Sequence, residues 1–130
     1  MTDSIQNALI FEIGEMIVED PRYADDAWHS ISLVATIGED VEELTAFRFD
    51  EAGQSSPGTP RRGGAILDKL IELREQMQQT GGGAFVQCLI QIKKPDYDLT
   101  VKFEHDDPER WSPGSVSMDM SAFADALRPA

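Results

Sequence analysis

Between Phe85 and Glu104 the chain alternates apolar and polar side chains in two successive runs, separated only by Lys94-Pro95-Asp96. Val86, Cys88, Ile90 and Ile92 make one face of the first run, and Tyr97, Leu99, Val101 and Phe103 make one face of the second. A period of two marks a strand with one buried side. A proline-containing turn this short can only join antiparallel neighbours. The chain must therefore build an antiparallel sheet and lay something apolar against it.

Two helical stripes can supply that cover. Over residues 4–19, Ile5, Leu9, Ile13, Met16 and Ile17 recur at helical spacing, and Asp20-Pro21 stops the run. Over residues 65–79, Ile66, Leu70, Leu73 and Met77 form a second stripe that ends at Gly81-Gly82-Gly83. A first hairpin lies between them. Ile31, Leu33, Ala35 and Ile37 give it one apolar face, Gly38-Glu39-Asp40 a turn, and residues 44–50 a second strand carrying Phe47 and Phe49. Residues 51–64 hold four Gly, two Pro and two Ser and are expected as a flexible internal loop. A short last helix from about Ser121 presents Phe123, Ala124 and Leu127. The expectation is one α+β domain over residues 1–130, in the order α-β-β-α-β-β-α, with helices packed on an antiparallel sheet built from two hairpins.

Charge narrows the partners. Eleven Lys and Arg face 24 Asp and Glu, a net charge of −13. The excess is uneven: −6 over residues 1–26, −5 over 27–58, +1 over 59–82 and −3 over 83–130, which sum to −13. Phosphate backbones and anionic lipid surfaces repel such a chain, so neither direct nucleic-acid binding nor membrane binding is expected. One cysteine precludes an internal disulfide framework, and the N-terminus carries no basic-then-apolar leader. These features predict a cytoplasmic domain. Acidity of this size serves solubility, or it steers a basic protein partner onto the surface.

Catalytic groupings are sparse along the chain. His105-Asp106-Asp107, with Glu104 and Glu109 nearby, is the densest set of metal-ligand side chains, but His29 is the only other histidine and no local spacing completes the set. Lys102-x-Glu104 reverses the order that restriction-type nuclease chemistry needs. Cys88 lies in an apolar strand, where a thiol behaves as a small hydrophobe. Gly81-Gly82-Gly83 follows a helix instead of opening one, the wrong arrangement for a phosphate loop. Trp111, in a polar stretch, reads either as a lid over the core or as an interface anchor.

The helix containing Leu70-Ile71-Glu72-Leu73-Arg74-Glu75-Gln76-Met77 runs through a glycine break into a hairpin. That hairpin ends in Val101-Lys102-Phe103-Glu104-His105-Asp106-Asp107-Pro108, followed by Arg110-Trp111. This segment, from Ile66 to Pro129, resembles the YezG-like family of bacterial immunity proteins, which protect toxin-producing cells from their own polymorphic toxins. The earlier half is compatible in order, and His105 departs from the aromatic residue expected before the acidic pair. The resemblance implies an antitoxin rather than an enzyme, with no cofactor or metal. Its partner would be a cognate toxin domain, basic and acting on nucleic acid, bound non-covalently at or beside its active site. From charge and expected exposure, the contact residues are Glu39, Asp40, Glu42 and Glu43 in the first hairpin loop, together with Asp106, Asp107, Glu109 and Trp111. Two other readings stand beside this one: a small metal-dependent enzyme centred on His105 and Asp106, and a homo-oligomeric adaptor.

Overall fold

A computed structural model describes residues 2–24, 28–112 and 120–129. In chain order the elements are α1 (Thr2–Val18), a single 3-10 turn (Pro21–Tyr23), β1 (Ser30–Ile37), β2 (Glu42–Phe49), β3 (Ser55–Pro57), α2 (Gly63–Gln79), β4 (Gln87–Lys93), β5 (Asp98–Glu104) and α3 (Met120–Ala126). The five strands form one antiparallel sheet in the order β3-β2-β1-β4-β5. The predicted α+β class holds. β1 is the central strand that joins the two hairpins, pairing Ile31 with Arg48 on one side and with Ile92 on the other.

Both long helices form where the apolar stripes predict. Leu9, Ile13 and Ile17 of α1 and Ile66, Leu70, Leu73 and Met77 of α2 are buried in one cluster with Ile31, Leu33, Ala35, Ile37, Cys88, Ile90 and Ile92. Leu99, Val101 and Phe103 of β5 are half-buried against the same cluster. The end of α2 follows from its glycines: the Gly82 N–H donates to Met77 O at 2.9 Å and the Gly81 N–H to Gln78 O at 3.3 Å. Gly81 takes φ +87°, the left-handed step that this double closure requires.

The opposite face is also covered, which the alternation in β1 did not foretell. Val34, Phe47, Phe49 and Leu89 pack there against Phe123, Ala124 and Leu127 of the α3 region, with Trp111 half-buried beside them. Ser30 and Ser32 on this face are 5% and 0% exposed. Polar bonds dock the cover: Ser32 Oγ donates to Leu127 O at 2.5 Å, and Gln91 Nε2 donates to the same carbonyl at 3.1 Å.

Three sequence expectations need correction. Glu42 and Glu43 are not in the hairpin loop; they open β2, because Ile37 and Thr36 extend β1 far enough to pair with them. Tyr97 does not face inward. It precedes β5 at φ +57° in the turn and is 50% exposed. Residues 51–64 contain a strand where a flexible loop was expected, since β3 pairs along β2 from Phe47 to Phe49.

That stretch is further tied to the rest of the fold. Gly58 N–H donates to Ala46 O at 2.9 Å, Tyr23 Oη donates to Gly58 O, and Arg128 Nη1 donates to Gly53 O at 2.5 Å. The backbone N–H groups of Arg61 and Arg62 donate to the Asp20 carboxylate at 2.9 and 2.8 Å. Asp20 also accepts from the Arg22 N–H at 2.8 Å, capping the 3-10 turn. Burial pushes this 1%-exposed carboxyl up, but the three backbone donors and the Arg62 charge outweigh it and hold its pKa below the ordinary value.

Candidate protein-binding surface

The register places Glu43, Thr36, Gln87 and Glu104 in one row across β2, β1, β4 and β5 at one end of the sheet. Gln87 is fully buried, and all of its side-chain polar groups are used. Its Nε2 donates to Thr36 Oγ1 and to Ser112 Oγ, both at 3.0 Å, while its Oε1 accepts from the Trp111 N–H at 2.8 Å. One buried amide thus holds the segment after β5 against the end of the sheet.

Glu104 shapes that segment. Its Oε2 accepts from the N–H groups of Asp106 at 3.0 Å and Asp107 at 3.1 Å, and its Oε1 from Arg110 Nη1 at 2.8 Å. The Asp106 N–H, the Arg110 side chain and the Asp107 N–H together hold the Glu104 carboxyl down to about 2. Asp107 Oδ1 in turn accepts from the Glu109 N–H at 2.9 Å. The Arg110 guanidinium carbon lies 4.9 Å from the centre of the Trp111 ring.

Between this turn and the β1–β2 turn runs a groove of about 390 Å³ lined by Thr36, Ile37, Gly38, Val41, Glu43, Val86, Pro108, Glu109 and Ser112. Ile37, Val86, Val41 and Pro108 make it apolar inside, and acids surround it. Residues 39–43 and 104–110 together contain eight acidic side chains and one basic one, Arg110. The two acidic groups singled out in the sequence, more than sixty residues apart, therefore share one end of the sheet. Glu43 and Glu109 line the groove; Glu39, Asp40, Glu42, Asp106 and Asp107 are exposed around this end, Glu42 on the opposite face of β2 from Glu43. Trp111 does not line the groove and is half-buried as a lid on the second apolar cluster.

Val41 is the residue that sequence reasoning passed over. It is 42% exposed within Glu39-Asp40-Val41-Glu42-Glu43, and its isolation among acids was the available signal. A second cleft, about 880 Å³, opens at the other end of the sheet between Trp28, His29, Asp50, Glu51, Lys94 and Tyr97. Lys94 Nζ lies 4.0 Å from the centre of the Trp28 ring there. Its residues come from three separate segments, so no local spacing announced it.

Among the described residues, no three His, Cys, Asp or Glu side chains converge as a bound cation would need. Asp106 lends its backbone to the Glu104 turn, and His105 is exposed. Cys88 is fully buried, and burial pushes its thiol pKa up, away from the thiolate that nucleophilic chemistry uses. Among the described residues, no helix is long and apolar enough to cross a membrane. Neither a protein-family model nor a curated protein matches the chain.

Proposed function

We propose that this protein is an immunity protein of the YezG-like kind, which neutralises a cognate toxin domain by non-covalent binding through the groove end of the sheet. The observation that supports the reading is the convergence of the two acidic segments around an apolar-lined groove. Such a surface offers a basic partner both a field and a place to bury side chains. The acids steer and orient the encounter, and desolvated contacts on Val41, Val86 and Pro108 supply the lasting affinity. A toxin that acts on nucleic acid carries a basic substrate cleft, which this surface complements whether it enters the cleft or docks beside it. No catalytic residue is required of the protein itself.

The test is co-expression with the product of the neighbouring gene, reading complex formation and protection from toxicity together. A stoichiometric complex that abolishes toxicity is the expected result. Reversal of the two groove-lining acids, E43K/E109K, should weaken that complex about tenfold or more and flatten its salt dependence. A neighbouring product that is neither bound nor toxic overturns the immunity reading. Unchanged affinity and salt slope in E43K/E109K would instead move the contact surface elsewhere on the protein.

A further inference from the structure

The two edges of the sheet are finished differently. β3 is three residues long and ends in Pro57, a short and proline-blunted edge. β5 is seven residues long, carries neither Pro nor Gly, and among the described residues no strand pairs with its outer side. The direction of its backbone groups follows from its neighbours. Lys94 N–H donates to His29 O, and in the same register Ile92, Ile90 and Cys88 face Ile31, Leu33 and Ala35, so the even-numbered residues of β4 turn toward β1. Val86, just before the strand, bonds both ways, accepting from Ile37 N–H and donating to Glu104 O. Gln87, Leu89, Gln91 and Lys93 then turn toward β5 and meet Glu104, Lys102, Thr100 and Asp98. The N–H and C=O groups of Leu99, Val101 and Phe103 consequently point away from the sheet.

An apolar strip accompanies this open edge. α1 approaches β5 closely at Gly14, where a Cβ would lie 3.2 Å from Leu99 Cδ2. Phe11, 68% exposed, and Tyr97, 50% exposed, flank a groove completed by Ile10, Leu99, Val101 and Phe103.

We infer that β5 is a self-association edge, and that two copies of the chain pair antiparallel about a two-fold axis at Thr100. In that register Leu99 of each copy exchanges hydrogen bonds with Val101 of the other, using the outward-pointing groups. At the intervening positions, where opposed side chains lie closest, Thr100 meets Thr100 and Asp98 meets Lys102 on both sides of the axis. The neighbouring registers that use the same outward groups are worse. Centring on Leu99 leaves only residues 98–100 of the two strands overlapping, centring on Val101 opposes Asp98 to Glu104, and centring on Lys102 opposes that lysine to itself. The length and charge pattern of β5 together select one register, and the selected partner is another β5. A closed two-fold pair also removes the exposed edge from both copies. The inference does not depend on the toxin reading, since the β5 edge is separate from the groove.

Sedimentation of the full chain over a range of concentrations, at about 0.15 M salt to screen the net repulsion, tests the pairing. The expected result is a reversible rise from 14.4 kDa to twice that mass. D98K and K102D alone should each remain monomeric, while their equimolar mixture dimerises, because opposite charges then face each other on both sides of the axis. T100C should form a disulfide-linked dimer under mild oxidation, since directly opposed residues at such positions lie within disulfide reach. A chain that is monomeric at every concentration overturns the proposal. So does a dimer whose stability is the same in D98K, and so does a mixture that fails to restore what the single variants lose.

Discussion

One face of the sheet is closed by two helices of 17 residues each, the other by a helix of seven together with Trp111. Behind the long helices the contacts are apolar from Leu9 to Ile92, with few polar atoms to satisfy. Behind the short one, Phe47, Phe49 and Leu89 share the surface with Ser32, Gln87 and Gln91, whose hydrogen bonds fasten the cover down. A long helix brings enough apolar area to hold itself in place. A single two-turn helix does not, and directed polar bonds make up the difference. The first face is thus secured by volume and the second by bonding geometry, and the two should fail in different ways.

The largest expected effect comes from removing volume on the first face. Leu70 is fully buried at the centre of the α2 stripe, so L70A should cost about 2–5 kcal/mol of global stability. Because that loss is global, denaturant unfolding should show one shared transition at both tryptophans, Trp28 reporting the first cluster and Trp111 the second. A loss well under 1 kcal/mol would mean that the helical face is not the principal support.

A smaller and more local loss is expected from Gln87. Q87L keeps the bulk but strands the Trp111 N–H and the Thr36 and Ser112 hydroxyls, at a cost of about 1–3 kcal/mol. Amide exchange should quicken at Trp111 and Ser112 well before it does in α2. Uniform exchange across both faces would mean that the short helix is not held separately by these bonds.

The smallest effect is a pH dependence at the groove. The Glu104 carboxyl is held from an ordinary 4.5 down to about 2, so its contribution is complete above pH 4.5 and disappears as the pH falls toward 2. NMR titration over that interval should move the amide signals of Asp106 and Asp107 while the Trp28 indole signal stays fixed. Movement of the Trp28 signal in step with those amides would show that the two faces are coupled.

The same contrast explains what could be read from the sequence. The first face was legible because Ile31, Leu33, Ala35 and Ile37 keep a period of two while Ile66, Leu70, Leu73 and Met77 keep a helical one. The second face hid behind Ser30, Ser32, Gln87 and Gln91, which look solvated until a partner for each polar atom is known. β3 was invisible because three residues among glycines and prolines have no periodicity. Glu42 and Glu43 read as loop because charge suggests exposure, and exposure is compatible with the end of a strand. The acidic groups around the groove were each visible as charge runs. Their meeting was not, because it depends on β1 lying between β2 and β4, a long-range fact that local spacing does not encode.

Asp20 carries a consequence for how this chain can change over time. Stretches rich in glycine, proline and serine ordinarily absorb insertions and deletions with little penalty. Here one carboxylate receives the main chain at Arg61 and Arg62, while Ala46 and Tyr23 grip it at Gly58. Added or lost residues between Gln54 and Arg62 would pull several of these attachments out of step at once. Variation in length is therefore channelled to the exposed tip at Glu51 and Ala52, outside the span those attachments hold.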